Sequence, residues 1–316
     1  MSPNSWICLH PSNATQTTVS LDNRGLAYGD GFFTTMGVID GQILWLDYHQ
    51  QRLVSHAVAL QLQLDSFSLL TALKTHAKQL QQGMLKLIIT RAEQEVRGYG
   101  YTPNTGGGSA CEIWLKSSPM AITTARSLPL ADGQFIPLQP AASAICLSSQ
   151  IACLPPTLAG LKSLNRLDNV LASGELQAIK AKTLAGTIKP SIAEGLLRDM
   201  SGQWVEGTMS NVFYQLVEAP VAKSSNRPHS QNNSSNYLTQ GQWYTPSMAQ
   251  SGVAGVMRQV IIDTLSTSNN PVIIRSLQDE DLPHLSQLFF CNALRGIMPM
   301  SSLRLLSGEV VSFEAI

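Results

Sequence analysis

Charge and long apolar runs are the two things this sequence of 316 residues has little of. Only 13% of its residues are charged, and 21 basic residues balance 21 acidic ones, so the formal net charge is zero. Without a surplus of positive charge, the chain offers no electrostatic basis for binding nucleic acid or an anionic membrane. No window approaches the ~18 uninterrupted apolar residues of a membrane span. The first residues, MSPNSWICLHPSN, also lack the pattern of a secretory signal. We therefore expect a soluble, cytoplasmic protein.

The sequence also lacks the residue spacings that hold metal ions. The six histidines are dispersed and form no HxxxH or HExxH pair, and no two cysteines have CxxC spacing. The cysteines are odd in number and widely separated, namely Cys8, Cys111, Cys146, Cys153 and Cys291. This pattern predicts reduced, mostly buried thiols and argues against a metal enzyme.

The length and the order of the elements predict two domains of α+β type. A chain of 316 residues exceeds what one small core needs, and 44% of its residues are hydrophobic. Helical patterns stand beside predicted hairpins and do not alternate regularly with strands. We expect an N-terminal domain at 1–118, a linker at 119–133 that contains Pro119 and Pro129, and a C-terminal domain at 134–316. Residues 219–240, rich in Ser, Asn, Gln and Pro, read as a flexible surface insertion without chemistry.

The segment Gly160–Ala178, GLKSLNRLDNVLASGELQA, joins a loop lysine to the start of an amphipathic helix. Lys162 follows a glycine and a leucine at that junction, and such a lysine is a candidate nucleophile that forms Schiff bases with carbonyl groups. The alternative is an ordinary solvated lysine. We expect Ser163 or Asn165 to cap the helix. The predicted apolar stripe of this helix consists of Leu167, Val170, Leu171 and Leu176.

The N-terminal domain contributes two candidate cations. Arg52 lies on a predicted helix at 48–62 with Asp47 as its N-cap, where it is either solvated or directed inward to a phosphate. Arg97 and Tyr99 lie in the predicted loop RAEQEVRGYGY. Before both, LDNRGLAYGDGFFTT places two glycines around Asp30 and leads into a predicted strand. Ordinary hairpin turn chemistry explains that stretch equally well.

The C-terminal domain contributes a carboxylate and two turns. Glu206 follows a predicted hairpin and precedes a glycine, and its burial requires a partner such as a protonated pyridine nitrogen. Glycines at 252 and 255 precede a predicted helix, Val256–Leu265, whose first N–H groups suit a phosphate, although glycines there often serve only as caps. A predicted strand ending at Ala293 leads into a second such turn.

Together these groups form the set that pyridoxal phosphate requires: a lysine for its aldehyde, an acid for its ring nitrogen and donors for its phosphate. The sequence resembles the fold-type IV pyridoxal-phosphate enzymes, which include branched-chain aminotransferases, D-amino-acid aminotransferases and aminodeoxychorismate lyases. The motifs that carry the resemblance occur in the same order along nearly the whole chain. They are RGLAYGDGFFTT, HQQRL, RGYGY, GLKSLNRLDNV, EGTMSNVF, GVAGVMRQ and CNALRGIMP.

The resemblance implies a smaller N-terminal α/β sandwich domain, a larger C-terminal pseudo-barrel domain and a role for each motif. Lys162 becomes the Schiff-base lysine, and Glu206 becomes the partner of the pyridine nitrogen. The implied phosphate ligands are Arg52, the backbone of Val256 and Met257, and the Asn292–Ala293 turn. Four residues fall in segments that border the substrate in relatives, namely Thr34, Thr35, Arg97 and Tyr99.

Within this family, KSLNRLDNV and CNALRGIMPM are most similar to the lyases, and Leu167 stands where branched-chain enzymes typically carry tyrosine. The implied reaction converts 4-amino-4-deoxychorismate into 4-aminobenzoate, a folate precursor, and pyruvate. Sites of the family lie between the two domains and near a subunit contact, which implies a homodimer. A D-amino-acid or branched-chain aminotransferase and a non-catalytic ligand-binding homologue remain the alternatives.

Overall fold

The computed structural model describes residues 6–10, 18–103, 108, 110–122, 126–130, 135–184, 192–217 and 237–313. The chain divides into two compact units. The first contains Met1–Thr123 and Leu154–Leu167, and the second contains Thr124–Cys153 and Asp168–Ile316. The α+β, two-domain class expected from the sequence is confirmed.

In the part of the first unit that the structure describes, the chain forms an antiparallel sheet and three helices. Its strands are β1 (Trp6–His10), β2 (Gly31–Ile39), β3 (Gln42–Ile43), β4 (Gly83–Arg91) and β5 (Cys111–Pro119), in the order β1-β5-β4-β2-β3. Its helices are α1 (Arg24–Tyr28), α2 (Leu46–Ala59) and α3 (Ser66–Leu80). Leu53 and Ala57 of α2 and Leu73 of α3 are buried in one cluster with Phe32 and Leu85 of the sheet. Apolar residues at helical spacing therefore hold α2 against β2.

The start of α2 differs from the prediction. Trp45 is the N-cap and has a left-handed backbone with φ of 59°, so Asp47 lies in the first turn of the helix and does not cap it. Strand β3, which precedes this helix, ends at Ile43. The Trp45 side chain is 2% exposed, and its burial accounts for a backbone conformation that a non-glycine residue otherwise avoids.

The second unit is built on a closed ring of strands. Its strands are β6 (Arg126–Pro129), β7 (Phe135–Leu138), β8 (Ala142–Ile151), β9 (Ile192–Asp199), β10 (Trp204–Gly207), β11 (Asn211–Leu216), β12 (Tyr244–Thr245), β13 (Ile273–Ile274), β14 (Leu285–Asn292), β15 (Gly296–Arg304) and β16 (Val310–Ser312). Its helices are α4 (Leu167–Leu184), which starts at the last residue of the first unit, and α5 (Val256–Leu265), with short 3-10 helices at Tyr237–Thr239 and Asp279–His284. Pairings β8·β9, β9·β10, β10·β11, β11·β14, β14·β15 and β15·β8 close the ring. This ring is the barrel-like domain that the sequence led us to expect.

The apolar stripe predicted for α4 is wrong. Leu176 is buried as expected, but Leu167, Val170 and Leu171 are 78%, 61% and 70% exposed. The helix packs instead through Ala172 and Leu176. The carboxylate of Glu175 accepts the backbone N–H groups of Ser148 and Ser149 in β8, each at 2.9 Å. The bonds of Glu175 to β8 therefore fix which side of α4 packs on the sheet, and the side that carries Leu167, Val170 and Leu171 is left exposed.

The helix cap proposed at Ser163 or Asn165 is also different. The Asn165 amide donates to the Gly29 carbonyl at 3.3 Å, and Ser163 pairs with Phe32 of β2 in an isolated bridge. Both residues therefore make contacts within the first unit, with Gly29 and Phe32.

The two units differ from the predicted division at two places. Residues 154–167, expected in the C-terminal domain, belong to the first unit because their backbone pairs with β2. Residues 126–129, expected in the linker, form β6 and pair with β7.

The segment expected to be an insertion, 219–240, lies mostly outside the described residues, but Leu238 near its end is 1% exposed and so belongs to the core. Among the described residues, no helix is long and apolar enough to cross a membrane.

Candidate active site

In the first unit, Lys162 is held by its backbone on both sides. Its carbonyl accepts the Phe33 N–H at 3.0 Å, and its own N–H donates to Nε2 of His56 at 2.9 Å. The Lys162 Nζ lies 4.7 Å from the centroid of the Phe33 ring, which is within cation–π range. The lysine loop is therefore an ordered extension of the sheet beside β2.

The buried face of α2 carries three polar residues at helical spacing, His49, Arg52 and His56. Arg52 is 7% exposed and donates to Oγ1 of Thr34 at 3.4 Å, and the same Oγ1 lies 2.9 Å from Nδ1 of His49. Burial lowers the pKa of Arg52 to about 10, so the guanidinium stays charged at neutral pH. Arg52 was predicted from the sequence and the two histidines were not, although positions i, i+3 and i+7 share one helical face.

Both histidines of this face are uncharged. Burial, followed by the charges of Arg52, Arg166 and Lys162, lowers the pKa of His56 to about 3. Burial and Arg52 place the pKa of His49 well below its ordinary value. With neutral histidines, the cations of this cluster keep a net positive charge that favours an anionic ligand.

Thr34 and Thr35 lie on opposite faces of β2, because side chains alternate along a strand. Thr34 is fully buried toward α2, where it bonds Arg52 and His49. Thr35 is partly exposed and shares the face of Phe33, over which the Lys162 amine lies. Both threonines were predicted to border the substrate, but only Thr35 lies on the face of β2 that carries Phe33.

Arg97 and Tyr99 are exposed residues in the loop after β4, with Tyr99 at 84%. A buried ionic cluster anchors their loop, because Asp30 binds Arg24 and Arg91 at 2.9 Å each. Arg24 also donates to the carbonyls of Gly98 and Tyr99 at 3.4 and 3.1 Å. The backbone of the loop is fixed in this way, while the side chains of Arg97 and Tyr99 are exposed to solvent.

In the second unit, Glu206 is a buried carboxylate on β10. It is 3% exposed, and its two oxygens accept the Val253 N–H at 2.8 Å and the Asn169 amide at 3.4 Å. The Asn169 Oδ1 is buried without a hydrogen-bond partner among the described residues. Asn169, which lies on α4 seven residues after Lys162, was not predicted from the sequence.

Glu194, a second carboxylate that the sequence analysis missed, fixes the turn after Glu206. It accepts the Thr208 N–H at 3.0 Å, the Thr208 hydroxyl at 2.5 Å and the Ser210 hydroxyl at 2.7 Å. Its other acceptor bond comes from the N–H of Gly195 at 3.0 Å. These four donors satisfy the buried carboxylate, and those from Thr208 and Ser210 fix the turn between β10 and β11 to Glu194.

The N-terminus of α5 has the properties of an anion site. Val256 and Met257 are its first residues, and Gly255 at the N-cap makes no side-chain cap, so the first N–H groups of the helix are uncapped by side chains. A Cβ at Gly255 would collide with Oδ1 of Asn211, which explains the glycine. In the same unit, Oδ1 of Asn292 accepts the N–H groups of Leu294 and Arg295 at 3.1 and 2.8 Å and so shapes the predicted Asn292–Ala293 turn.

The family model for amino-transferase class IV matches residues 31–303, a range that includes Arg52, Lys162, Glu206 and the start of α5. The chain belongs to the class IV aminotransferase family.

Two kinds of class IV protein are similar to the chain. It is 30% identical to the solved 4-amino-4-deoxychorismate lyase from Pseudomonas aeruginosa, with a TM-score of 0.68 and coverage of 94% of this chain and 90% of that one. It is 24% identical over 290 residues to an aminodeoxychorismate lyase from Vibrio harveyi, covering 91% and 88% of the two chains. It is 26% identical over 302 residues to a putative branched-chain-amino-acid aminotransferase from Methanocaldococcus jannaschii, covering 94% and 86%.

Membership of the class IV family fixes the cofactor and the broad activity. These enzymes depend on pyridoxal phosphate, and the chain is an enzyme of the lyase or aminotransferase kind. The residues present fit the cofactor, since the chain has an anchored lysine, a buried carboxylate and an uncapped helix start. The roles of individual residues remain predictions.

Proposed function

We propose that this protein is a pyridoxal-phosphate-dependent lyase that converts 4-amino-4-deoxychorismate into 4-aminobenzoate and pyruvate. The similarity that carries the proposal is the 30% identity, over 94% of the chain, with a solved protein named for that activity. Leu167, where branched-chain aminotransferases typically carry tyrosine, favours the lyase within the family.

The described groups support a specific way of holding the cofactor. The amine of Lys162 would hold the aldehyde carbon, and the carboxylate of Glu206 would pair with the ring nitrogen. Arg52, the first N–H groups of α5 at Val256 and Met257, and the Asn292–Ala293 turn would hold the phosphate. When bound, pyridoxal phosphate withdraws electrons from the carbon that bears the substrate's amino group.

Once the substrate's amino group has replaced Lys162 on the aldehyde carbon, the freed Lys162 amine would act as the base of the reaction. It would remove the proton from the carbon that bears nitrogen, and the carbon–oxygen bond to the enolpyruvyl group would break. The leaving enolpyruvate would take up one proton in exchange and become pyruvate, while the substrate's ring becomes aromatic. Lys162 would regain its bond to the cofactor as 4-aminobenzoate leaves. The substrate is divided between the two products without water, oxidant or reductant. The negative charge of Glu206 would keep the ring nitrogen of the cofactor protonated, as this proton transfer requires.

Four residues remain proposed substrate contacts with different support. Arg97 is an exposed guanidinium suited to a substrate carboxylate, with Tyr99 in the same loop. Thr35 lies on the face of β2 that carries Phe33 beneath the Lys162 amine. Thr34 is fully buried against Arg52 and His49, so it would act on the substrate side only by orienting the Arg52 guanidinium.

The second candidate function is amino-acid transamination, which the similarity to the putative branched-chain enzyme favours. The two activities separate in one experiment. The purified protein is supplied with aminodeoxychorismate in one reaction, and with D- or branched-chain amino acids plus 2-oxoglutarate or pyruvate in another. The lyase forms 4-aminobenzoate and pyruvate in equal amounts. Rapid conversion of the cofactor to its pyridoxamine form without 4-aminobenzoate would contradict the lyase and support the aminotransferase.

We also propose that the protein acts as a homodimer, as expected for the family. Sedimentation velocity of the purified protein tests this directly. A species of twice the chain mass of 34.2 kDa is expected, and a monomer at working concentration would contradict it.

A further inference from the structure

We infer that His56 is a positioning residue that sets the place of the Lys162 peptide group from helix α2. This inference rests on the proposed role of Lys162 as the amine that holds the cofactor. Backbone groups of residues 162–164 make three of the hydrogen bonds that join the lysine loop to its neighbours. Phe33 N–H binds the Lys162 carbonyl at 3.0 Å, Leu164 N–H binds the Gly31 carbonyl at 3.0 Å, and Lys162 N–H binds Nε2 of His56 at 2.9 Å.

The His56 ring is fixed on more than one side. It is 5% exposed and packs edge-on against the Phe32 ring at 5.3 Å. Its Nδ1 lies 3.3 Å from Oγ of Ser55, and that hydroxyl donates to the Arg52 carbonyl at 3.2 Å. Since Nε2 accepts from Lys162, the ring proton belongs on Nδ1, where it donates to Ser55. One tautomer satisfies every contact.

The surroundings keep His56 able to accept. Burial of the ring opposes its protonation first, and the charges of Arg52, Arg166 and Lys162 oppose it further. A protonated ring would have no lone pair at Nε2 and would release the Lys162 N–H. Burial and the cationic cluster together therefore maintain the bond from the Lys162 N–H to His56.

Helix α2 thereby sets two proposed cofactor groups at once. Arg52 and His56 are four residues apart on the same helical face, so the proposed phosphate ligand and the lysine backbone share one rigid support. Supporting residues of this kind matter because small displacements of a reacting group cost large factors in rate.

Residue-resolved hydrogen exchange on the holoenzyme tests the bond itself. H56L removes the acceptor, H56Q offers a carbonyl oxygen at a similar reach, and H76L is the matched control on a partly buried histidine of α3. In H56L we expect the Lys162 amide to exchange at least ~10-fold faster. The amides of Phe33 and Leu164, which bond backbone carbonyls, should keep their protection. H56Q should restore most of the Lys162 protection, and H76L should change none of it.

Two further measurements show whether loss of this bond affects Lys162 itself. Covalent attachment of pyridoxal phosphate to Lys162, trapped by borohydride and located by mass spectrometry, should be slower in H56L and recover in H56Q. The kcat of product formation should fall by ~10 to 100-fold in H56L with little change in KM.

Unchanged exchange at Lys162 in H56L, or equal acceleration at Phe33 and Leu164, would overturn the inference. Exchange and trapping do not depend on the reaction. A wild-type protein without lyase turnover would therefore refute the proposed function and leave this test intact.

Discussion

The neutral, buried state of His56 makes a quantitative prediction about stability and pH. The pKa of His56 is about 3 in the folded protein against 6.5 as its ordinary value, so the folded state binds fewer protons than the unfolded state at mildly acidic pH. A group whose folded pKa is depressed contributes stability above the unfolded pKa, and that contribution is lost as the pH falls. Stability should therefore decline from pH 7.5 to pH 5.0.

The magnitude follows from the unfolded state. At pH 5.0 the unfolded histidine lies about 1.5 pH units below its pKa, and each unit is worth about 1.36 kcal/mol, so the loss is about 2 kcal/mol. Any folded-state pKa below about 4 gives nearly the same result in this window. The H56Q variant has no titrating group there and keeps Arg52, Arg166 and Lys162, the cations that face the ring. His49 contributes in the same direction in both proteins and cancels from their difference.

Urea unfolding of wild type and H56Q at pH 7.5 and 5.0, with equal pyridoxal phosphate in every sample, measures this difference. The free energy of unfolding should fall by about 2 kcal/mol more in wild type than in H56Q. Equal losses in the two proteins would show that His56 protonates as readily when folded, and would refute the account of its surroundings.

Three further predictions concern other groups. E206Q should keep the bond to the Val253 N–H but lose the charge beside the ring nitrogen, so steady-state kinetics should show kcat lower by ~100-fold or more; wild-type turnover would exclude the proposed role. D30N removes the carboxylate that pairs with the buried Arg24 and Arg91 and should lower the free energy of unfolding by about 3 kcal/mol in urea titrations, whereas a loss under ~1 kcal/mol would contradict that pairing. A thiol reagent should label exposed Cys153 in the native protein, with C153S as control. Cys146, whose pKa burial raises to about 12, should react only after unfolding, and native labelling of Cys146 would contradict its burial.

Periodic elements with local boundary signals were predictable from the sequence. Helix α5 was expected at Val256–Leu265 and has those bounds, and the apolar residues at helical spacing along it, Val256, Val260, Ile261 and Leu265, are buried. A glycine before a regular apolar repeat defines such a helix locally. The start of α2 was missed because the left-handed Trp45 depends on burial of its indole, and no local pattern encodes that contact. The side of α4 that packs was missed because Glu175 binds strand β8, a partner distant in sequence.

In the candidate site, too, residues within local motifs were predictable, and residues whose partners are distant in sequence were not. Lys162, Glu206 and Arg52 stand in ordered motifs, and the structure gives each an anchored or buried environment. His56 was missed because its functional partner is 106 residues away along the chain. Glu194 was missed because a carboxylate within a strand has no special meaning until the turn it binds is known.

Product analysis with 4-amino-4-deoxychorismate tests the central claim most directly, with wild type and K162A measured side by side. We predict that wild type forms 4-aminobenzoate and pyruvate in equal amounts, and that K162A keeps its fold by circular dichroism but forms neither. No 4-aminobenzoate from wild type, or full product formation by K162A, would contradict the account.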